Sequence, residues 1–422
     1  MTLVERDRKV IWHPFTQQKN MLPPIPVAKA KGSLLFDADG REYIDAISSW
    51  WVNLHGHAHP HIAEKIYQQA LQLEQVIFAG FTHEPAVQLA EKLLRILPEN
   101  ISRIFYSDNG STSTEVALKM AIQYWWNKKE NEQSPSRTKI LAFNNAYHGD
   151  TFGAMSVSDR SVFTLAFHNL LFEVIFIDTP TQDNIISIKN TIQQHGQQIA
   201  AFIYEPLVQG AGGINMYDAV LLNEVINTAR QYNIICIADE VMTGFGRTGK
   251  LFASEYLYEK PDIVCLSKGL TGGTMALGVT ACSNTIYNAY VTSNKLKTFF
   301  HGHSFTANPL ACTAALASLD LLLTTDCLKK IEWICKMNHT YSAQLKQEKT
   351  NIKNVRVLGT ILAFEVLEGA DEYLNNISTI ITQKALEQGV YIRPLGNTVY
   401  IMPPYCITES ELQKVYRFML QI

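Results

Sequence analysis

Lys268 stands in CLSKGLTGG, directly after an apolar run and before a glycine-rich turn. That placement puts a primary amine at the C-terminal end of a strand, where open α/β sheets hold their ligands. Desolvation there disfavours the ammonium form and frees the neutral amine to attack a carbonyl, so Schiff-base chemistry is expected. A second apolar run, IICIADE, carries Asp239 at its end, 29 residues before the lysine, which leaves room for one crossover between neighbouring strands. A carboxylate beside a pyridine nitrogen keeps that nitrogen protonated, so the ring can withdraw electrons. Lysine plus aspartate is the recognition unit of pyridoxal 5′-phosphate (PLP). On these two residues alone an N-capping Asp and a solvated Lys remain the competing reading.

Other motifs supply what a phosphorylated ring needs. Asp108-Asn109-Gly110-Ser111 follows the run RIFYS and opens a helical stretch, so backbone N–H groups and the helix dipole favour a phosphate at Gly110 and Ser111. Tyr147 and His148 in AYHGD follow another strand, and an aromatic ring there could stack on the cofactor, although core packing accounts for Tyr147 equally well. GFGRTGK matches G-x-G-x-x-G and nearly matches a Walker A loop, yet Leu251 stands where the latter needs Ser or Thr, and Asp262 precedes its strand. Four histidines alternate in HGHAHPH, where Gly56 and Pro60 favour a turn over a metal site.

These residues need a frame. From Pro60 to Cys282 helical-period stretches alternate with short apolar runs, the pattern of βαβ units in a mostly parallel sheet. Expected strands are Arg103–Ser107, Lys139–Phe143, Val174–Ile177, Ala200–Glu205, Ile234–Asp239, Ile263–Ser267 and Gly278–Cys282. Expected helices lie near His61–Val76, Pro85–Leu97, Ser111–Trp126, Thr181–His195 and Asp218–Tyr232. Before this region, LLFDADGREYIDAI reads as a two-residue hairpin about Asp39-Gly40. After it come a helix near Ala307–Leu323, the strand-like VRVLGTILAFEV, a helix near Tyr373–Gln388 and two short strands. The organisation expected is a large α/β domain over residues 56–300, with residues 1–55 and 301–422 forming a smaller α+β domain.

Composition narrows the partners. The chain has 422 residues, 47% of them hydrophobic, and a net charge of −3 from 36 basic and 39 acidic side chains. That balance gives no electrostatic reason to expect nucleic acid or an anionic membrane. Seven cysteines, odd in number and without CxxC pairing, read as reduced thiols of a cytoplasmic protein.

Taken together, the motifs resemble class III PLP-dependent aminotransferases, from WHPF near one end to MPPY near the other. The family signature is ADEVMTGFGRTGKLFA followed by PDIVCLSKGLTGG. SSWW, YHGDTFGAMS, EPLVQGAGG, LTGGTMAL and IRPLGNTVYIMPPY are similar to the branch acting in biotin biosynthesis. The resemblance implies a PLP-dependent transferase of fold type I, with Lys268 bonded to the cofactor and moving the substrate proton. Asp239 is implied on the pyridine nitrogen, Tyr147 on the ring, and Gly110 and Ser111 on the phosphate. Ser304, with Gly302 beside it, is implied to come from the facing subunit of a homodimer. Arg393 is implied to clamp a substrate carboxylate, with Trp50, Trp51 and Phe15 shaping the pocket.

The implied reaction is ping-pong. S-adenosylmethionine gives its amino group to PLP, and the pyridoxamine form aminates 8-amino-7-oxononanoate to 7,8-diaminononanoate. Phe15, His303 and Leu395 depart from the branch's usual residues. A same-fold enzyme drawing nitrogen from lysine or another ω-amino donor therefore stays open as the alternative.

Overall fold

A computed structural model describes residues 1–19, 21–129, 137–368 and 376–422. The seven apolar runs form one sheet. Its spatial order is Ile101–Ser107, Gly278–Ser283, Ile263–Leu266, Ile235–Asp239, Ile199–Tyr204, Lys139–Phe143, Val174–Ile177. Gly278–Ser283 alone runs against its neighbours, so the sheet is mostly parallel. Every residue of Ile199–Tyr204, Ile235–Asp239 and Ile263–Leu266 is buried. Strands covered on both faces have no solvent side to alternate with, which is why their sequences are continuous apolar runs.

Helices supply that cover. On one face Gly110–Asn127 packs Val116, Ala117, Met120 and Tyr124 against Ile140, Ile203 and Ile237. On the other, Ala219–Gln231 buries Leu222, Val225 and Ile226 in the cluster that contains Phe202 and Ala238. The sheet is thereby sandwiched, and its strand ends are left as the open edge.

Two smaller sheets complete the frame. Val27–Lys31, Leu34–Asp37 and Glu42–Asp45 are antiparallel, and Val390–Tyr391, far along the chain, joins parallel to Glu42–Asp45. Ile352–Leu358, Ile361–Val366 and Thr398–Ile401 form the other.

Several elements differ from the sequence reading; the helix expected near His61–Val76, for one, spans Pro60–Ala70. The hairpin loop has three residues, because Asp37 pairs with Arg41 across Ala38, Asp39 and Gly40. Asp37 Oδ1 accepts the N–H groups of Asp39 at 3.0 Å and Arg41 at 2.8 Å, and Gly40 takes the left-handed step at φ +83°. A 24-residue helix, Thr325–Glu348, was not anticipated. Its buried positions include Asn338 and Ser342 beside Ile331, Ile334, Tyr341 and Leu345, so the apolar period is faint. The helix expected near Tyr373–Gln388 spans Ile377–Glu387, and Tyr373 lies outside the described residues. No single helix among the described residues is long and apolar enough to cross a membrane.

Candidate active site

Parallel strands deliver their C-terminal ends to one edge, and the candidate residues follow those ends. Gly110 and Ser111 come after Ile101–Ser107, and Tyr147 and His148 after Lys139–Phe143. Glu205 directly follows Ile199–Tyr204, Asp239 ends its strand, and Lys268 lies two residues past Leu266. Asp239 pairs in register with Cys265, three residues before the lysine. Lys268, Asp239, Gly110, Ser111, Tyr147 and Trp51 accordingly line one cavity of about 470 Å³.

Lys268 takes a left-handed conformation, φ +45°, that a side-chain-bearing residue adopts only where its surroundings impose it. Among the described residues no carbonyl or carboxylate bonds to its Nζ, which lies 4.9 Å from the centre of the Trp51 ring system. Burial holds its amine below the ordinary lysine range, against the opposing pull of Asp239 and Glu205. The neutral amine is thereby made accessible.

Asp239 is buried. Its Oδ1 accepts the Val241 N–H at 3.1 Å, and its Oδ2 lies 2.7 Å from His148 Nδ1. A carboxylate fixed on both oxygens presents its charge in one direction, as protonation of a ring nitrogen requires. Glu205, also buried, accepts N–H groups from Tyr147 at 3.2 Å and Gly210 at 3.0 Å. Burial pushes its carboxyl up to about 7 despite the lowering effect of His148.

At the other end, the helix Gly110–Asn127 is capped by Asn109, whose Oδ1 accepts the Thr112 N–H at 3.0 Å. The N–H groups of Gly110 and Ser111 have no earlier carbonyl in the helix to bind. Ser111 Oγ accepts the Asp150 N–H at 3.0 Å, so its own proton can be donated into the cavity. A side chain at position 110 would meet Val241 Cγ1 at 2.8 Å, so only glycine leaves this cradle open. The chain's residues therefore fit a phosphorylated, protonated ring with an aldehyde near Lys268.

Outside the cavity, Arg393 places its guanidinium 4.7 Å from the centre of the Trp50 ring system, and Phe15 meets Trp50 edge-on at 5.4 Å. Phe163 touches Phe15 at 5.9 Å and Tyr147 at 6.0 Å, so an aromatic path links the arginine to the cavity. Gly302 and Ser304 are not brought there. Both are exposed, and the Ser304 carbonyl accepts from Gln75 Nε2 at 2.5 Å.

Glu205 was missed as a site residue, although an acidic residue ending IAAFIYE was a usable signal. His148 was seen in AYHGD without a role, because its pairing with Asp239 joins residues 91 positions apart.

A family model described as aminotransferase class III matches residues 15–422. The chain is 47% identical, over 96% of each chain, to an adenosylmethionine-8-amino-7-oxononanoate aminotransferase of Synechococcus elongatus. It is 37% identical to the protein of that name from Helicobacter pylori, over 100% of this chain and 97% of the relative. Among solved structures, the Methanocaldococcus jannaschii protein of the same name superposes with a TM-score of 0.94 at 33% identity, covering 99% of this chain and 98% of that one. A PLP-bound amine transaminase from an uncultivated Pseudomonas species superposes at 0.89 with 29% identity, covering 97% of each. With its strand-end lysine and aspartate and a family match across almost its whole length, the chain belongs to the class III aminotransferases.

Proposed function

We propose that this aminotransferase moves the α-amino group of S-adenosylmethionine to 8-amino-7-oxononanoate, forming 7,8-diaminononanoate for biotin synthesis with PLP as cofactor. The relatives named for this reaction support the reading, and one observation carries it. Trp51 lies against Lys268 while its neighbour Trp50 lies against Arg393, so a reacting amine and a carboxylate-binding cation are joined by an apolar wall. That wall matches an acceptor whose ketone and carboxylate are separated by an aliphatic chain.

When bound, PLP supplies an aldehyde that carries nitrogen between substrates and a ring that accepts the electron pair released at the substrate carbon. Asp239 would keep the ring nitrogen protonated, and His148 holds Asp239. Lys268 Nζ would take the proton from the donor's α-carbon and deliver it to the cofactor carbon that carried the aldehyde, and would move it in the opposite sense when the acceptor is aminated. Gly110 and Ser111 would hold the phosphate, and Tyr147 would cover the ring. Arg393 binds the acceptor carboxylate through its planar fork, and Phe15, Trp50 and Trp51 exclude water around its chain.

Gly302 and Ser304 act from a second copy of the chain, which makes the homodimer the active form. The domain division into 1–55, 56–300 and 301–422 and a cytoplasmic location are part of the same proposal. The test supplies S-adenosylmethionine and lysine separately with 8-amino-7-oxononanoate and follows diamine formation. Product with S-adenosylmethionine is expected. Product with lysine alone selects the ω-amino-donor alternative, and product with neither rejects the acceptor.

A further inference from the structure

The histidine-rich stretch HGHAHPH has no part in the chemistry described so far, yet its second histidine reaches the wall of the site. His57 Nε2 lies 2.9 Å from Oδ2 of Asp45, a carboxylate with no solvent exposure. Asp45 also accepts the Ser49 N–H on both oxygens, at 2.8 and 2.7 Å, and the Ser49 hydroxyl at 3.0 Å.

Ser49 belongs to the turn that carries the two tryptophans. Ser48, Ser49 and Trp51 have φ of +54°, +59° and +65°. Positive φ at three side-chain-bearing residues out of four persists only where the surroundings impose it. Asp45 is one such constraint, and others are Ser48 Oγ, which donates to the Met402 carbonyl at 2.7 Å, and Trp51 Nε1, which donates to Tyr400 Oη at 2.9 Å.

Asp45 is also tied to the arginine arm. It pairs with Tyr391 in the parallel ladder, two residues before Arg393. The ring of His57 is aimed at it because His57 exchanges backbone hydrogen bonds with Gly32, at 3.1 and 2.7 Å. That approach requires Gly56, where a side chain would lie 2.6 Å from Cys406 Sγ and 2.8 Å from Gly32 Cα.

We propose that Asp45 and His57 form a positioning pair that fixes the Ser48–Trp51 turn against the Arg393 strand, and so sets the enzyme's selectivity for an acceptor bearing a remote carboxylate. Neither residue touches substrate. His57 orients the buried carboxylate, the carboxylate holds Ser49 at its positive φ, and the turn places Trp50 under the arginine. The consequence for selectivity rests on the acceptor proposed above; the clamp itself does not.

The experiment uses the holoenzyme and the variants His57→Ala, His57→Gln and Asp45→Ala. Amide hydrogen exchange over residues 48–53 reads the clamp. Exchange should quicken at least tenfold in His57→Ala and Asp45→Ala and stay near wild type in His57→Gln, whose side-chain amide can still donate to Asp45. Steady-state kinetics read the consequence. In His57→Ala, KM for 8-amino-7-oxononanoate should rise about tenfold with kcat within threefold of wild type, while KM for its methyl ester stays within twofold.

Unchanged exchange in His57→Ala overturns the clamp, whether or not Asp45→Ala folds. Equal rises in KM for the acid and the ester overturn the selectivity role. A wild type inactive on 8-amino-7-oxononanoate overturns the proposed acceptor and this selectivity role, while exchange still decides the clamp.

Discussion

His148 Nδ1 lies 2.7 Å from Asp239 Oδ2, with both side chains buried at the end of the central strand Ile235–Asp239. The pair joins two strand ends, and its histidine fixes the direction in which the aspartate's charge acts. A hydrogen bond to a charged group contributes about 1.5–3 kcal/mol. His148→Ala, which has no side-chain donor for Asp239, should therefore weaken PLP binding by roughly tenfold or more. Quenching of protein fluorescence on cofactor titration measures this, and an unaltered dissociation constant would remove His148 from the cofactor's support.

Lys268→Ala should abolish transamination while leaving the fold intact, because its amine is the group proposed to bond the cofactor and carry the proton. Borohydride treatment of the wild type should leave PLP fixed to the Lys268 peptide, detectable by mass spectrometry. No attachment is expected in the variant. Retained turnover there contradicts the role given to this lysine.

Glu205 makes stability depend on pH. Its carboxyl is raised from an ordinary 4.5 to about 7 by burial, so the native chain keeps a proton that the unfolded chain releases. Stability is thus lost as pH climbs from about 4.5 to 7, and is fully present below that window. Glu205→Gln should abolish that loss, flattening the change in unfolding free energy between pH 5 and 8 by at most about 3 kcal/mol. Urea unfolding of the unliganded protein at both pH values checks it, and identical slopes in variant and wild type contradict the assignment.

Gly149 tests the phosphate end. A side chain at this position would overlap Ser111 Oγ, and φ is +128°, a region closed to other residues. Gly149→Ala should lower stability by about 1–3 kcal/mol. It should also weaken binding of PLP more than that of its unphosphorylated form, as judged by thermal shift in the presence of each. Equal losses for both would mean that the displaced Ser111 does not serve the phosphate.

Much of the frame was legible in the chain. The strands were readable because apolar runs such as IAAFIY and IVCL are short, uninterrupted and bounded by turn residues. Lys268 and Asp239 were readable because each directly follows such a run. The helix Thr325–Glu348 was not, since its buried stripe includes Asn338 and Ser342, and neither was the true length of the Asp37–Arg41 loop, which depends on a side-chain carboxylate binding two backbone N–H groups.

The order of apolar runs and turns along the chain decided that a lysine and an aspartate would each stand at a strand end, because strand ends are local properties of the sequence; that the two strands lie side by side was decided by the sheet. Tertiary structure alone decided what surrounds them. Glu205 nears neutrality only because burial strips water from it. Asp239 meets His148, and Trp50 meets Arg393, only because the folded chain brings together residues tens to hundreds of positions apart. Such pairings depend on distance in space, which residue spacing along a chain does not encode.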